Sequence, residues 1–356
     1  MDTTTAVFLN EYALGQLLTE KHFSVREHSL PPVPDGGLKI ETIYLSVDPY
    51  LRGCMTGLGN YYAPQFELSA PVYSMGIGQV LQSRDPAFAE RDIVLGALDW
   101  SPITVWDPGT TSRRQPGGNL RQIKPGAVAL SHHLGALGTT GLTAFFGVLA
   151  VAQPQPGETF LVSSAAGGVG SIAGQIAKLR GATVYGLTST REKRSVVMNR
   201  FDFEDALDYR SPTLARDILE LMPRGPDIYF DTVGGRLGQT VMSLMRRPAR
   251  VIECGQISTY DDDDGGWLVD IRPIHNLGLR FEAFNSMLYA DFHPGAVAQL
   301  EHWIRTGAVI PLETEHYGFT ALVPAFLDML QGGNIGKTIV NVGRRGQKDE
   351  TCIQYI

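Results

Sequence analysis

Residues 163–194 read SSAAGGVGSIAGQIAKLRGATVYGLTSTREKR, and the stretch decides the fold. It follows a short apolar run, TFLV (159–162). Ala165, Gly167 and Gly170 make an A-x-G-x-x-G turn, apolar residues then recur at helical spacing to Leu179, and a β-branched run, ATVYGLT (182–188), closes the unit. Strand, glycine turn, helix and second strand form one βαβ unit. Small residues let the backbone turn sharply, admit a pyrophosphate and present the N–H groups of a helix N-terminus to its charge. Gly174 falls on the inner face of that helix. The first position is Ala rather than Gly, so the flanking elements carry the reading more than the turn itself.

The end of the second strand bears on the cofactor. A site for NAD usually places Asp or Glu there to accept from the ribose 2′-hydroxyl, and a carboxylate would repel a 2′-phosphate. Here the positions hold Thr188, Ser189, Thr190, Arg191 and Lys193. Ser189, Arg191, Lys193 and Arg194 supply charge-assisted donors, so NADPH is expected over NADH. The competing reading makes them solvated residues at the start of the next helix.

Outward from this unit the alternation continues. Residues 141–150 and 236–245 have helical periodicity, and 227–230 and 250–254 read as strands, which implies a doubly wound parallel sheet. On the N-terminal side, to about residue 128, short β-type runs (5–9, 38–47, 72–81, 92–97, 101–105) are broken by loops such as PPVPDGG and RQPGG. That half reads as a β-rich, barrel-like domain. From about residue 314, an amphipathic helix (322–330) and a closing strand (337–342) rejoin it. The expected fold class is therefore α/β: a barrel domain of 1–130 with 314–356, and a nucleotide-binding domain of 131–313.

The 356 residues accommodate two domains, and 43% hydrophobic with 19% charged residues describes an ordinary globular chain. A formal net charge of −7 without a basic block argues against nucleic acid as partner. No run approaches the roughly 18 apolar residues of a membrane span, and the N-terminus has no signal-peptide pattern. Cys54, Cys254 and Cys352 are odd in number and far apart, which fits a reducing, cytoplasmic setting and offers neither a disulfide framework nor a zinc knuckle. His132, His133 and His275 have no carboxylate or cysteine at ligand spacing. Asp261 to Asp264 read as a solvated loop, and Arg246, Arg247 and Arg250 as ion-pairing residues.

The chain resembles the zinc-independent medium-chain dehydrogenase/reductase superfamily, within it the prostaglandin reductase, leukotriene B4 12-hydroxydehydrogenase and alkenal double-bond reductase group. The likeness rests on YLSVDPYLRG (44–53), GTTGLTAFFG (138–147), SSAAGGVGSIAGQIAKLRG (163–181), Glu192 with Lys193, DYR (208–210), YFDTVGG (229–235), ECGQISTY (253–260) and NIGKTIV (334–340). It implies a GroES-like barrel domain, a Rossmann domain, a homodimer, and NADPH-dependent reduction of a carbon–carbon double bond conjugated to a carbonyl. By motif position it places Lys193 and Tyr209 at the 2′-phosphate, and Gly167, Gly168, Val169 and Gly170 along the pyrophosphate. Cys254, Gly255 and Ile257 come beside the nicotinamide, Asn334 as a cap from the returning tail, Tyr260 at the substrate carbonyl and Tyr50 on the pocket wall. The long connection 52–72, with Tyr61 and Tyr62, and the acidic run 261–270 depart from the family pattern.

Reduction of an enone needs no Lewis acid: hydride goes to the β-carbon, and one hydroxyl donor with the cofactor ribose steadies the enolate oxygen. Tyr260 is the expected donor, against the alternative of a ring that only packs at a strand end. Tyr50, between Pro49 and Leu51, reads more readily from the residues alone as a structural ring in a tight turn. Other readings stay open: oxidation of an allylic or secondary alcohol, a non-catalytic NADPH-binding protein, or a dedicated biosynthetic (secondary-metabolism) step on one advanced intermediate.

Overall fold

The computed structural model describes residues 2–58, 64–111, 120–124, 126–261 and 268–343. Tyr61, Tyr62, Cys352 and Asp262 to Asp264 lie outside them. The chain divides into two compact units, one of residues 1–125, 315–331 and 338–356, the other of 126–314 and 332–337.

The first unit begins with an antiparallel pair, β1 (Thr3–Leu9) and β2 (Phe23–Ser29). Strands β3 (Leu38–Ser46), β4 (Tyr73–Ser83), β5 (Ile93–Asp99), β6 (Ile103–Trp106) and β7 (Arg121–Gln122) follow, with a helical turn α1 (Pro108–Thr111) after β6. In β3, Leu38 and Ile40 are buried while Glu41 between the faces is exposed, the period of two that one-sided burial requires. β2 escapes sequence reading because Arg26, Glu27 and Glu20 before it make the stretch look like a polar loop.

The second unit runs α2 (Thr139–Phe146), β8 (Thr159–Val162), α3 (Gly168–Leu179), β9 (Thr183–Thr188), α4 (Arg191–Asn199), β10 (Asp205–Asp208), α5 (Leu214–Leu221), β11 (Ile228–Asp231), α6 (Gly235–Met242), β12 (Arg250–Glu253), α7 (Arg272–Leu277), β13 (Arg280–Ala283) and α8 (His293–Arg305). The expected helix over 141–150 ends early: Gly147–Ala152 widens into a π-type turn closed by Gln153 N–H donating to Val148 O at 2.8 Å. The six strands form a parallel sheet in the order β10-β9-β8-β11-β12-β13. Phe160, Val162 and Phe230 face a core shared with α2 and α3, and Leu161, Tyr229 and Val251 face one shared with Leu214, Ile218 and Met242. Burial on both faces explains why these strands are apolar throughout. The chain winds outward from β8 through β9 and β10, then returns to β11 on the other side, so the strand order reverses between β8 and β11. Ligands of such sheets bind outside the carboxyl ends of the strands at that point.

The tail supplies β14 (Glu313–Tyr317), α9 (Leu322–Leu330) and β15 (Lys337–Asn341), and the first unit's main sheet runs β14-β15-β3-β4-β5-β7, with β6 also on β3. Leu322, Val323, Phe326 and Met329 bury one face of α9 in that unit's core, where the Phe326 ring meets Trp100 edge-on at 5.8 Å.

Candidate nucleotide site

The turn after β8 is closed by Gly167 N–H donating to Ser164 O at 2.8 Å, and Gly167 is the extended residue that opens α3. A Cβ on Gly170 would lie 2.4 Å from Ser164 O, and one on Gly168 3.0 Å from Thr140 Cγ2. Any larger residue at 170 would push the helix off its turn. The first turn of α3 leaves backbone donors without intrahelical partners, at Gly168, Val169 and Gly170, at the carboxyl end of the sheet. This is a cradle suited to a pyrophosphate.

The end of β9 is built from Thr188, Ser189 and Thr190. Thr188 Oγ1 is buried without a hydrogen-bond partner, and Ser189 is half-buried. Thr190 caps α4, its hydroxyl accepting from Lys193 N–H at 3.1 Å. Lys193 Nζ in turn donates to Gly332 O at 2.5 Å. Tyr209, just after β10, donates its N–H to Thr188 O at 3.0 Å, and the residue is 38% exposed. Ser189, Lys193 and Tyr209 thus gather around one strand end, with no carboxylate at the strand's last residues. Arg194, half exposed, donates from Nη2 to Asp205 Oδ1 at 2.7 Å.

On the other side of the switch point, Asp231 ends β11 fully buried. Its Oδ1 accepts from Val233 N–H, Gly234 N–H and Ser163 Oγ, and its Oδ2 has no partner. Burial raises its carboxyl despite the backbone donors. Glu253, opposite it on β12, is pushed up to about 8 by burial and by the Asp231 charge. The Cys254 thiol is raised further, chiefly by burial, so it stays protonated at neutral pH and serves as neither thiolate ligand nor nucleophile. Sequence reading missed Asp231 and Ser163; the DTVGG string, an Asp two and three residues before backbone donors, was the available signal.

Cys254 and Gly255 both donate N–H to Asp231 O, at 2.8 and 3.2 Å, which bends the chain away from β12. A Cβ on Gly255 would meet only Thr232 O, at 3.7 Å. Ile257 opens a 3-10 turn, and half-buried Tyr260 closes it, its N–H reaching Ile257 O at 3.4 Å. Asn334 Nδ2 donates to Gly336 O, while Gly336 N–H donates to Ala166 O at 2.7 Å, so the returning tail lies against the glycine turn. All these candidates belong to the second unit. Tyr50 belongs to the first, in a 3-10 turn (Pro49–Met55) with its ring packed on that unit's core.

Among the described residues, no three His, Cys, Asp or Glu side chains come together in a way that could hold a metal ion. His132 instead lies 2.9 Å from Glu313 Oε1, whose other oxygen accepts from Ser131 at 2.6 Å, a partner 181 residues away that local spacing could not reveal. Arg246 pairs with Asp227 at 2.7 Å and Arg250 with Glu158 at 2.5 Å. Among the described residues no helix is long and apolar enough to cross a membrane.

A glycine-turn parallel sheet joined to a β-rich unit is the architecture of a nucleotide-dependent oxidoreductase. Residues 8–113 match the family described as N-terminal domain of oxidoreductase, and residues 168–301 the family described as Zinc-binding dehydrogenase. The chain is 35% identical to a putative NADP-dependent oxidoreductase YfmJ of Bacillus subtilis over 87% of its length and 91% of that protein. It is 32% identical to 2-alkenal reductase (NADP(+)-dependent) of Nicotiana tabacum, over 88% and 90%. The structure of CurA in complex with NADPH from Vibrio vulnificus superposes with a TM-score of 0.85 at 27% identity, covering 96% of this chain and all of the other. The chain belongs to the zinc-independent medium-chain dehydrogenase/reductase superfamily. The donor set for the zinc named in the second family description is not assembled among the described residues.

Proposed function

We propose that the protein uses NADPH to reduce the carbon–carbon double bond of an α,β-unsaturated ketone or aldehyde. The observation that carries this reading is the end of β9, where Thr188, Ser189 and Thr190 include no carboxylate, Lys193 is anchored to Gly332 O, and Tyr209 is bonded to Thr188 O. The likeness to the NADP-dependent alkenal reductase and to the NADPH complex supports it.

In this reading Ser189, Lys193 and Tyr209 hold the 2′-phosphate, and Gly167, Gly168, Val169 and Gly170 the pyrophosphate. Cys254, Gly255 and Ile257 line the nicotinamide, with Asn334 capping it. NADPH supplies the hydride. Tyr260 donates a hydrogen bond to the substrate carbonyl, where negative charge develops. A protonated Cys254 cannot trap an electrophilic enone, which suits a residue beside the reaction. The proposed working form is a homodimer, supported by β13 as the last strand of the parallel sheet among the described residues and by the exposed Leu288 and Phe292 that follow it.

The test is oxidation of NADPH and NADH over a panel of enals, enones and aryl enones, beside a Lys193→Ala variant. Turnover with NADPH, and a variant that loses NADPH affinity about 10- to 100-fold while NADH changes little, is expected from the loss of a charge-assisted bond. NADPH formation from allylic alcohols without enone reduction would overturn the reaction assignment, and equal use of both nucleotides would overturn the cofactor assignment.

A further inference from the structure

The segment Gly332–Lys337 returns to the nucleotide unit and is fixed to it at five backbone points. Gly332 O accepts from Lys193 Nζ at 2.5 Å. Ile335 is held twice by one side chain: its N–H donates to Thr314 Oγ1 at 2.9 Å, and the same hydroxyl donates to Ile335 O at 2.8 Å. Gly336 N–H donates to Ala166 O at 2.7 Å and Lys337 N–H to Leu312 O at 2.8 Å. Gly336 sits at φ +73°, and a Cβ there would fall 1.9 Å from Leu312 O, so the strap passes only because residue 336 is glycine.

The strap therefore touches both ends of the crevice. One end runs alongside the glycine turn, through Ala166 and the bridge between Gly167 and Gly336. The other meets the lysine at the end of β9. A lysine is a flexible four-carbon stem with three donors, and its direction is ordinarily loose. The bond to Gly332 O fixes that direction.

We infer that the strap 332–337 determines nucleotide specificity by aiming Lys193 at the 2′-phosphate, with Thr314 as the positioning residue that holds the strap in place. The inference rests on the NADPH reading above. Thr314 touches no cofactor in this account; it acts through Ile335, Gly332 and Lys193. Nothing local in the sequence links residues 193, 314 and 332.

The experiment is a Thr314→Val exchange, which keeps shape and removes both strap bonds, made in the wild-type and Lys193→Ala backgrounds. Dissociation constants are read for NADPH, NADH, adenosine 2′,5′-bisphosphate and 5′-AMP. In the wild-type background, ligands with a 2′-phosphate should bind about fivefold more weakly, the worth of one ordinary hydrogen bond, while NADH and 5′-AMP change little. In the Lys193→Ala background the exchange should have no further effect. Equal weakening of NADH, no change for any ligand, or an undiminished effect without Lys193 would each overturn the inference. If Lys193→Ala abolishes the NADPH preference while Thr314→Val does not, the strap idea fails alone; if Lys193→Ala changes nothing, the cofactor reading fails with it. Should the valine variant not fold, hydrogen exchange on wild type decides: adenosine 2′,5′-bisphosphate should slow exchange across 332–337 where 5′-AMP does not, and equal protection by both would overturn the idea.

Discussion

Asp231 and Glu253 stand opposite each other at the carboxyl ends of two neighbouring parallel strands, and each keeps one buried carboxyl oxygen without a hydrogen-bond partner. Burial first, and then the Asp231 charge beside it, keep the proton on Glu253 up to about pH 8. The ordinary value for this carboxyl is 4.5. Between the two the folded chain holds a proton that the unfolded chain releases, so the contribution to stability is full below the ordinary value and is lost as pH rises through the raised one. Glu253→Gln should therefore be close to wild type near pH 5 and exceed it by about 4 kcal/mol near pH 9. Urea unfolding across that range measures it; a constant difference at all pH values would remove Glu253 as the cause.

The packing of α3 on the sheet depends on Gly174. A Cβ there would lie 2.2 Å from Phe203 Cζ, against a ring that is buried and tightly held. Gly174→Ala should cost about 1–3 kcal/mol by overpacking, despite the better helix propensity of alanine. Adding Phe203→Leu should recover part of the loss. Non-additive melting shifts in the double variant are the expected outcome, and strict additivity would show that the clash is relieved elsewhere.

Tyr260→Phe removes only a hydroxyl. If that hydroxyl donates to the developing enolate, kcat should fall about 10²- to 10³-fold while NADPH affinity is retained. Stopped-flow hydride transfer and a fluorescence titration of NADPH separate the two effects. Unchanged kcat would reduce Tyr260 to a packing residue at the end of its 3-10 turn.

Glu313 accepts from Ser131 and pairs with His132 where both partners of the pair are less than a fifth exposed. Glu313→Ala strands two polar groups and should destabilise the nucleotide unit by about 2 kcal/mol. Glu313→Gln, which keeps an acceptor, should lose less. Thermal unfolding of the two variants ranks them; equal losses would point to the charge rather than the acceptor.

The parallel sheet was legible because its strands are local signals. TFLV, ATVYGLT and the glycine turn between them are contiguous, and each is apolar, β-branched or small for reasons that act within a few residues. The residue types at the end of β9 were legible for the same reason, hydroxyls and a lysine with no carboxylate among 188–190. β2, β10 and β13 were not: Phe23–Ser29 carries a charged exposed face, and Asp205–Asp208 and Arg280–Ala283 are four residues long, so only their neighbours in the sheet make them strands.

Short-range signals set the βαβ unit, the glycine turn and the residue types at the end of β9, because propensity and periodicity operate over short spans. Tertiary structure alone decided that Arg194 pairs with Asp205, that Glu313 answers His132, and that Gly332, 139 residues from Lys193, receives its ammonium. It also decided that Glu253 keeps its proton, since that depends on which strand β12 adjoins and on how little water reaches their ends. Hydrogen bonds, desolvation and charge act across space, and a linear chain does not disclose which of its distant residues will share it.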